Sequence, residues 1–289
     1  MSTMQIPKET LPKEIDIPIA QGIDLKIFDR LREQGDYATS SLPKGFLLVS
    51  NGLELVEEAV GFGFPVVKRG LQALFPSSIE LAVEQHGTTW LVQAVFRLDL
   101  VEKIHRRGIG SIRGGLIYAI KNSLAALIRS FSPLRGLLTA VSSGLRRVFG
   151  WETTYENAGF HATIKMVHTI HAETGEVRVE VDLNDLPDSI TEVVVMNEQG
   201  AQYFNHYQDS SGISLQGNRI GCWDEVTAGE ACFSSTTQHL AFRLGQVNGA
   251  RLYRGRELVG SRLSWAGFGY SFPPTIKKFN YKLVIERHI

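Results

Sequence analysis

The segment TTWLVQAVFRLDL, residues 88–100, alternates with a period of two. Trp90, Val92, Ala94, Phe96, Leu98 and Leu100 share one face, while Gln93, Arg97 and Asp99 lie on the other. Such alternation describes a strand with one face buried and one wet, which an antiparallel sheet accommodates. The pattern recurs in EVRVEVDL, residues 176–183, where Val177, Val179, Val181 and Leu183 face in and Arg178, Glu180 and Asp182 face out.

Turn signals separate these runs. Asn51-Gly52 lies between two short apolar stretches, His86-Gly87 precedes the first alternating strand, and Thr174-Gly175 precedes the second. Asn-Gly favours a two-residue hairpin loop because both residues tolerate positive φ. TEVVVMN and AQYFNHY are expected to pair across EQG. RIGCWDEV, HLAFRLG, ARLYRG, ELVGSRLSW and KFNYKLVIERHI supply further strands. Strands at short, fairly regular intervals predict antiparallel sheets curled into a barrel or sandwich.

Two stretches break this period. In IDLKIFDRLREQG, Leu25, Phe28 and Leu31 recur at helical spacing and Gly35 offers a stop, which predicts a short helix. Residues 108–150 read as two amphipathic helices. Leu116, Ile120, Leu124 and Leu127 fall on one face of the first, and Leu134, Leu138, Val141 and Leu145 on one face of the second. Ser132-Pro133 supplies a cap and a first-turn proline between them. The expected class is therefore α+β and β-rich, with a central helical hairpin insert. The expected parts are an extended N-terminal arm over 1–22, a first β-rich part over 23–107, the hairpin over 108–150, and a second β-rich part over 151–289.

Charge is uneven although the chain carries 30 basic and 30 acidic residues. From Lys103 to Arg147 there are nine basic residues and no acid. The plain reading is a solvated helix face paired with acids elsewhere. The functional reading is peripheral contact with an anionic membrane through residues 103–149. Nucleic acid is disfavoured by the overall neutrality and the lack of a recognition motif. The first residues show no basic region followed by an apolar run, so a cytoplasmic protein is expected. Cys222 and Cys232 fall out of register if residues 227–230 form a hairpin turn, so reduced thiols are expected.

No Gly-rich phosphate loop, no βαβ alternation, no zinc-ligand spacing and no Gly-x-Ser-x-Gly elbow is found, so no cofactor and no metal is expected. His168 shares a face with Ala162, Ile164, Met166 and Ile170 and reads as a hydrogen-bonded core histidine. The richest polar stretch is residues 197–226. There Asp209, Asp224, Glu225 and His206 are the candidates for acid–base work. Trp223 and Arg219 in that stretch, with Trp265 and Tyr270 in SRLSWAGFGYSFPP, are the candidates for holding a ligand. The plain reading of the stretch is a set of hairpin ends rich in turn-forming residues.

A curled sheet makes an interior cavity, and an apolar cavity with a few polar groups is the default ligand site. The leading expectation is thus a cofactor-independent protein binding an apolar or amphiphilic small molecule, of isomerase, cyclase, hydratase or lyase type. The alternatives are a carbohydrate-active β-sandwich, or a non-enzymatic membrane-surface or interaction protein using the basic helices.

Overall fold

A computed structural model describes residues 14–20, 22–29, 42–106, 151–259 and 263–287. They form two sheets, and every strand pairing among them is antiparallel. The smaller sheet holds β1 (Glu14–Ala20), β2 (Ile23–Phe28), β3 (Leu47–Ser50) and β4 (Leu53–Glu54), in that order.

The larger sheet has fourteen strands. The first six are β5 (Phe62–Arg69), β6 (Gln72–His86), β7 (Thr89–Arg106), β8 (Trp151–His171), β9 (Glu176–Asp182) and β10 (Glu192–Gln199). Then come β11 (His206–Asp209), β12 (Ser214–Gln216), β13 (Asp224–Val226) and β14 (Glu230–Ser235). The last four are β15 (Leu240–Gly245), β16 (Arg251–Val259), β17 (Leu263–Phe272) and β18 (Lys278–Arg287). Their spatial order is β12-β11-β14-β15-β18-β9-β8-β7-β6-β5-β10-β17-β16-β13.

This sheet bends so that its two limbs face each other. Phe233 on β14 meets Phe268 on β17 edge-on at 4.9 Å, and Phe242 on β15 meets Phe62 on β5 at 5.1 Å. The smaller sheet covers the bend. Ile15, Ile17, Ile19, Ile23, Leu25 and Ile27 join one core with Val177, Val179 and Val181 of β9 and Leu283 of β18. Each such side chain contributes roughly 1.5–3 kcal/mol by leaving water. Two devices fasten the layers. Phe46 and Phe62 exchange backbone hydrogen bonds at 2.8 Å. The buried Gln199 side chain accepts from the Leu48 amide at 3.1 Å and donates to the Phe46 carbonyl at 3.1 Å. The ends of the larger sheet, β12 and β13, do not pair, so the barrel alternative gives way to a sandwich.

Three hairpins follow the turn signals. β3 and β4 pair around Asn51 (φ 49) and Gly52 (φ 81), β6 and β7 pair from His86 to Thr89, and β8 and β9 pair from His171 to Glu176. Other expectations need correction. The α+β class does not hold, because the described residues are β throughout, with one 3-10 turn at Gly217–Ile220 and no α-helix. Ile23–Phe28 is a strand: Ile23, Leu25 and Ile27 also alternate with a period of two, and the layer above β9 takes that face. The helical hairpin expected over 108–150 lies outside the described residues, with seven of the nine basic residues. Lys103, which is described, is paired with Glu156. Residues 201–207 do not return along β10, whose neighbours are β5 and β17. No helix among the described residues is long and apolar enough to cross a membrane.

Candidate functional site

Four adjacent strands, β8, β9, β18 and β15, turn their inward residues to the core and leave an outer face of polar side chains. The register sets Thr169 opposite Arg178 and Arg178 opposite Lys282. It also sets Glu176 opposite Val284 and Val284 opposite Arg243. The segments around Gly229–Glu230 and Gly245–Val247 rise at one side. Together they enclose an open cleft of about 880 Å³, within the size range of small-molecule sites.

Arg178 and Lys282 are like charges directly opposite, an arrangement that destabilises a sheet unless something intervenes. Glu176 intervenes. It accepts from Arg178 Nε at 2.7 Å and lies 3.3 Å from Lys282 Nζ. The Arg178 hydrogen bond holds the Glu176 carboxyl below the usual range, against a smaller effect of desolvation, and Lys282 adds to it. Arg243 pairs with Glu286 and, at 3.6 Å, with Glu230. Glu180 pairs with Lys278 at 3.3 Å. The floor is therefore a lattice of donors and acceptors with apolar spots at Val167 and Val284.

Of the residues singled out from sequence, Tyr270 borders this cleft. Its buried hydroxyl donates to the Gly245 carbonyl at 2.5 Å, and burial pushes its pKa up. The others lie elsewhere. Asp209 ends β11 and caps the following turn, accepting from the Tyr207 hydroxyl at 2.7 Å and the Ser211 amide at 3.0 Å. Desolvation pushes its carboxyl up, and the hydrogen bonds, from Ser211 foremost, outweigh it and hold the pKa low. The His206 ring sits between Ser234 Oγ at 3.2 Å and Ser214 Oγ at 3.0 Å. Asp224 and Glu225 are on β13, opposite Arg254 and Tyr253 of β16. Arg219 is exposed on the 3-10 turn.

Trp223 and Trp265 do come together. Their rings stack at 4.9 Å and 21° over the glycine-bearing face of β16 and β17. A Cβ at Gly255 would fall 2.6 Å from Trp265, and one at Gly269 would fall 2.8 Å from Trp223. The glycines of SRLSWAGFGYSFPP thus serve close approach. The pair joins Leu47, Val56 and Ala59 in a small apolar cluster, with Trp265 buried and Trp223 partly exposed.

A second group of polar residues joins Glu198, which belongs to the polar stretch 197–226 but is not among its candidates, to Glu58, which sequence reasoning passed over. Glu58 and Glu198 are buried carboxylates near Lys44, whose ammonium donates to the Ala59 carbonyl at 2.5 Å. Desolvation pushes both carboxyls up to about 7 against the attraction of Lys44, with the Val60 amide also opposing it at Glu198. Neither lines the cleft. His168 is buried as expected, edge-on to Phe46 at 4.8 Å. Burial lowers its pKa to about 4, and neither ring nitrogen makes a well-formed hydrogen bond. The space around His168, Asn197 and Tyr281 leaves no room for a water molecule. No group of three or more side chains suited to a metal occurs among the described residues. Cys222 and Cys232 are unbridged. They lie apart because β13 pairs with β16 while β14 pairs with β11 and β15, so the 227–230 turn is not a hairpin.

The described residues thus define an antiparallel β-sandwich with an open polar cleft on the outer face of its larger sheet. No protein-family model matches the chain, and no curated protein matches its sequence. Among solved structures, 95% of the chain superposes on the α-N-acetylgalactosaminidase NagBb from Bifidobacterium bifidum, with TM-score 0.50 and 10% identity, over 36% of that chain. An α-mannosidase from Enterococcus faecalis V583 aligns over 100% of this chain and 30% of its own, with TM-score 0.47 and 10% identity. A galactose mutarotase-like protein from Clostridium acetobutylicum aligns over 92% and 93%, with TM-score 0.38 and 8% identity. The first shows a shared fold; the other two fall below that level. The chain spans about a third of the length of NagBb.

Proposed function

We propose that this chain is a carbohydrate-binding β-sandwich, with the sugar held in the cleft over β8, β9, β18 and β15. The observation that carries this is the cleft floor, where guanidinium, ammonium, carboxylate, hydroxyl and amide groups alternate across four strands. Sugar hydroxyls both donate and accept, so a surface offering both at close intervals suits them. A glycosidase on the same fold is in keeping with this reading.

The cleft is read as a binding surface, not as a catalytic centre. A general acid needs a carboxyl raised towards neutrality. Within the cleft, Glu176 is instead held low by Arg178. The raised carboxyls, Glu58 and Glu198, lie outside it. An apolar ligand in the interior is disfavoured by the packing of Phe62, Phe204, Phe233, Phe242 and Phe268 across the space between the limbs.

A glycan array probed with the full chain tests the proposal. Binding to a subset of glycans is expected, with the signal lost in the Arg178→Ala/Lys282→Ala double variant. Equal signal from that variant, or no glycan bound by wild type, would remove the proposal.

A further inference from the structure

We infer that the cleft takes an uncharged glycan chain of several sugar units, lying across the strands, in preference to a single sugar or an acidic one. This rests on the carbohydrate reading above and adds the length and charge of the ligand.

Length follows from the sheet. Groups that can bind a sugar occur on each of the four strands: Thr169 on β8, Arg178 on β9, Lys282 on β18 and Arg243 on β15. These strands are consecutive neighbours. Neighbouring strands lie about 4.8 Å apart, so the outer two are separated by about 14 Å. One sugar ring cannot touch both. A chain laid perpendicular to the strands meets a new set of groups at each strand.

Charge follows from the ion pairs. The ionised residues lining the cleft are Glu176, Glu180 and Glu230 against Arg178, Arg243 and Lys282, three of each sign. Every one of the six already has an oppositely charged neighbour within 4 Å. A uronate would bring a fourth negative charge beside Glu176, Glu180 and Glu230, where each cation lining the cleft already faces a carboxylate. A neutral chain has no such conflict. The Arg178 guanidinium bonds Glu176 through Nε, and a guanidinium has further donors for hydroxyl groups.

Isothermal titration of the full chain tests this, using neutral oligomannosides and N-acetylgalactosamine oligomers of one to five units, and oligogalacturonides of matched length. In whichever neutral series binds, affinity is expected to rise about tenfold or more from one unit to three, and to level off thereafter. Thr169→Val and Arg243→Ala, on the two outer strands of the cleft floor, should each weaken the longest ligand more than the single unit. A single unit binding as tightly as the trimer would overturn the inference and leave the carbohydrate reading standing, as would tighter binding of the galacturonides. If no ligand in any series binds and the glycan array is also blank, both fall.

Discussion

At the scale of single residues, the core carries ionisable groups whose titrations pull in opposite directions. Glu198 is buried and its carboxyl is raised from 4.5 to about 7. In the unfolded chain that carboxyl is ionised above its ordinary pKa, whereas in the fold it stays protonated. The fold therefore enjoys its full contribution below pH 4.5 and loses it as pH climbs to about 7, on the order of 3 kcal/mol in all. His168 works the other way. Its pKa falls from 6.5 to about 4, so its contribution is complete above pH 6.5 and is lost as pH drops towards 4. Urea unfolding at pH 4.5 and pH 7 separates them. Glu198→Gln should gain stability over wild type at pH 7 relative to pH 4.5, and His168→Leu should gain it at pH 4.5 relative to pH 7. A Glu198→Gln effect that is the same at both pH values would show that its carboxyl titrates normally in the fold.

His168 was legible from sequence because a period of two assigns each residue of a strand to a face. Glu58 and Glu198 were not. Glu58 lies in VEEAVG, which reads as polar surface, and Glu198 follows a run of valines at a turn. Both feel the charge of Lys44, and Glu198 stands 154 residues from it, so no local pattern announces the group.

At the scale of elements, hairpins were legible and long-range neighbours were not. Asn51-Gly52 and Thr174-Gly175 carry their own backbone preference, so the turns form where the residues stand. The pairing of β9 with β18 joins Val179 to Tyr281 across about a hundred residues, and no local signal announces it. The cleft depends on that pairing, so its residues could be placed on outward faces but not beside one another. The strand β2 shows the cost of a short window. Six residues with apolar side chains at 23, 25, 27 and 28 fit both periods, and the packing layer decides between them. The two sheets meet through Gln199, which satisfies an amide and a carbonyl of the other layer. Removing the side-chain amide leaves the buried Leu48 N–H without Gln199, at about 1–3 kcal/mol, while the Phe46 carbonyl keeps the Phe62 amide. Gln199→Ala should therefore lower the unfolding free energy by about 2 kcal/mol, read from the urea midpoint. A change below about 1 kcal/mol would mean that water or a shifted strand replaces the amide.

At the scale of the whole molecule, the larger sheet bends without closing, which makes two different surfaces. Its inner surface is filled by aromatic rings, and its outer surface over β8, β9, β18 and β15 is left open and polar. An interior apolar site was expected because curled sheets enclose space. Here the side chains are large enough to consume it, with Tyr207, Phe233, Phe242 and Phe268 meeting across the gap. The polar stretch 197–226 drew attention because it gathers turn residues. In the fold it carries the chain from β10 past β11 and β12 to the opposite end of the larger sheet at β13, with Asp209 capping the turn after β11. The central claim is that the outer cleft is where a sugar binds. A crystal structure of the chain with the tightest-binding oligosaccharide tests it most directly. The account predicts sugar rings lying against Arg178 and Lys282 with the Glu176 bridge intact. A ligand seated beside Trp223 and Asp224, with the cleft empty, would contradict it.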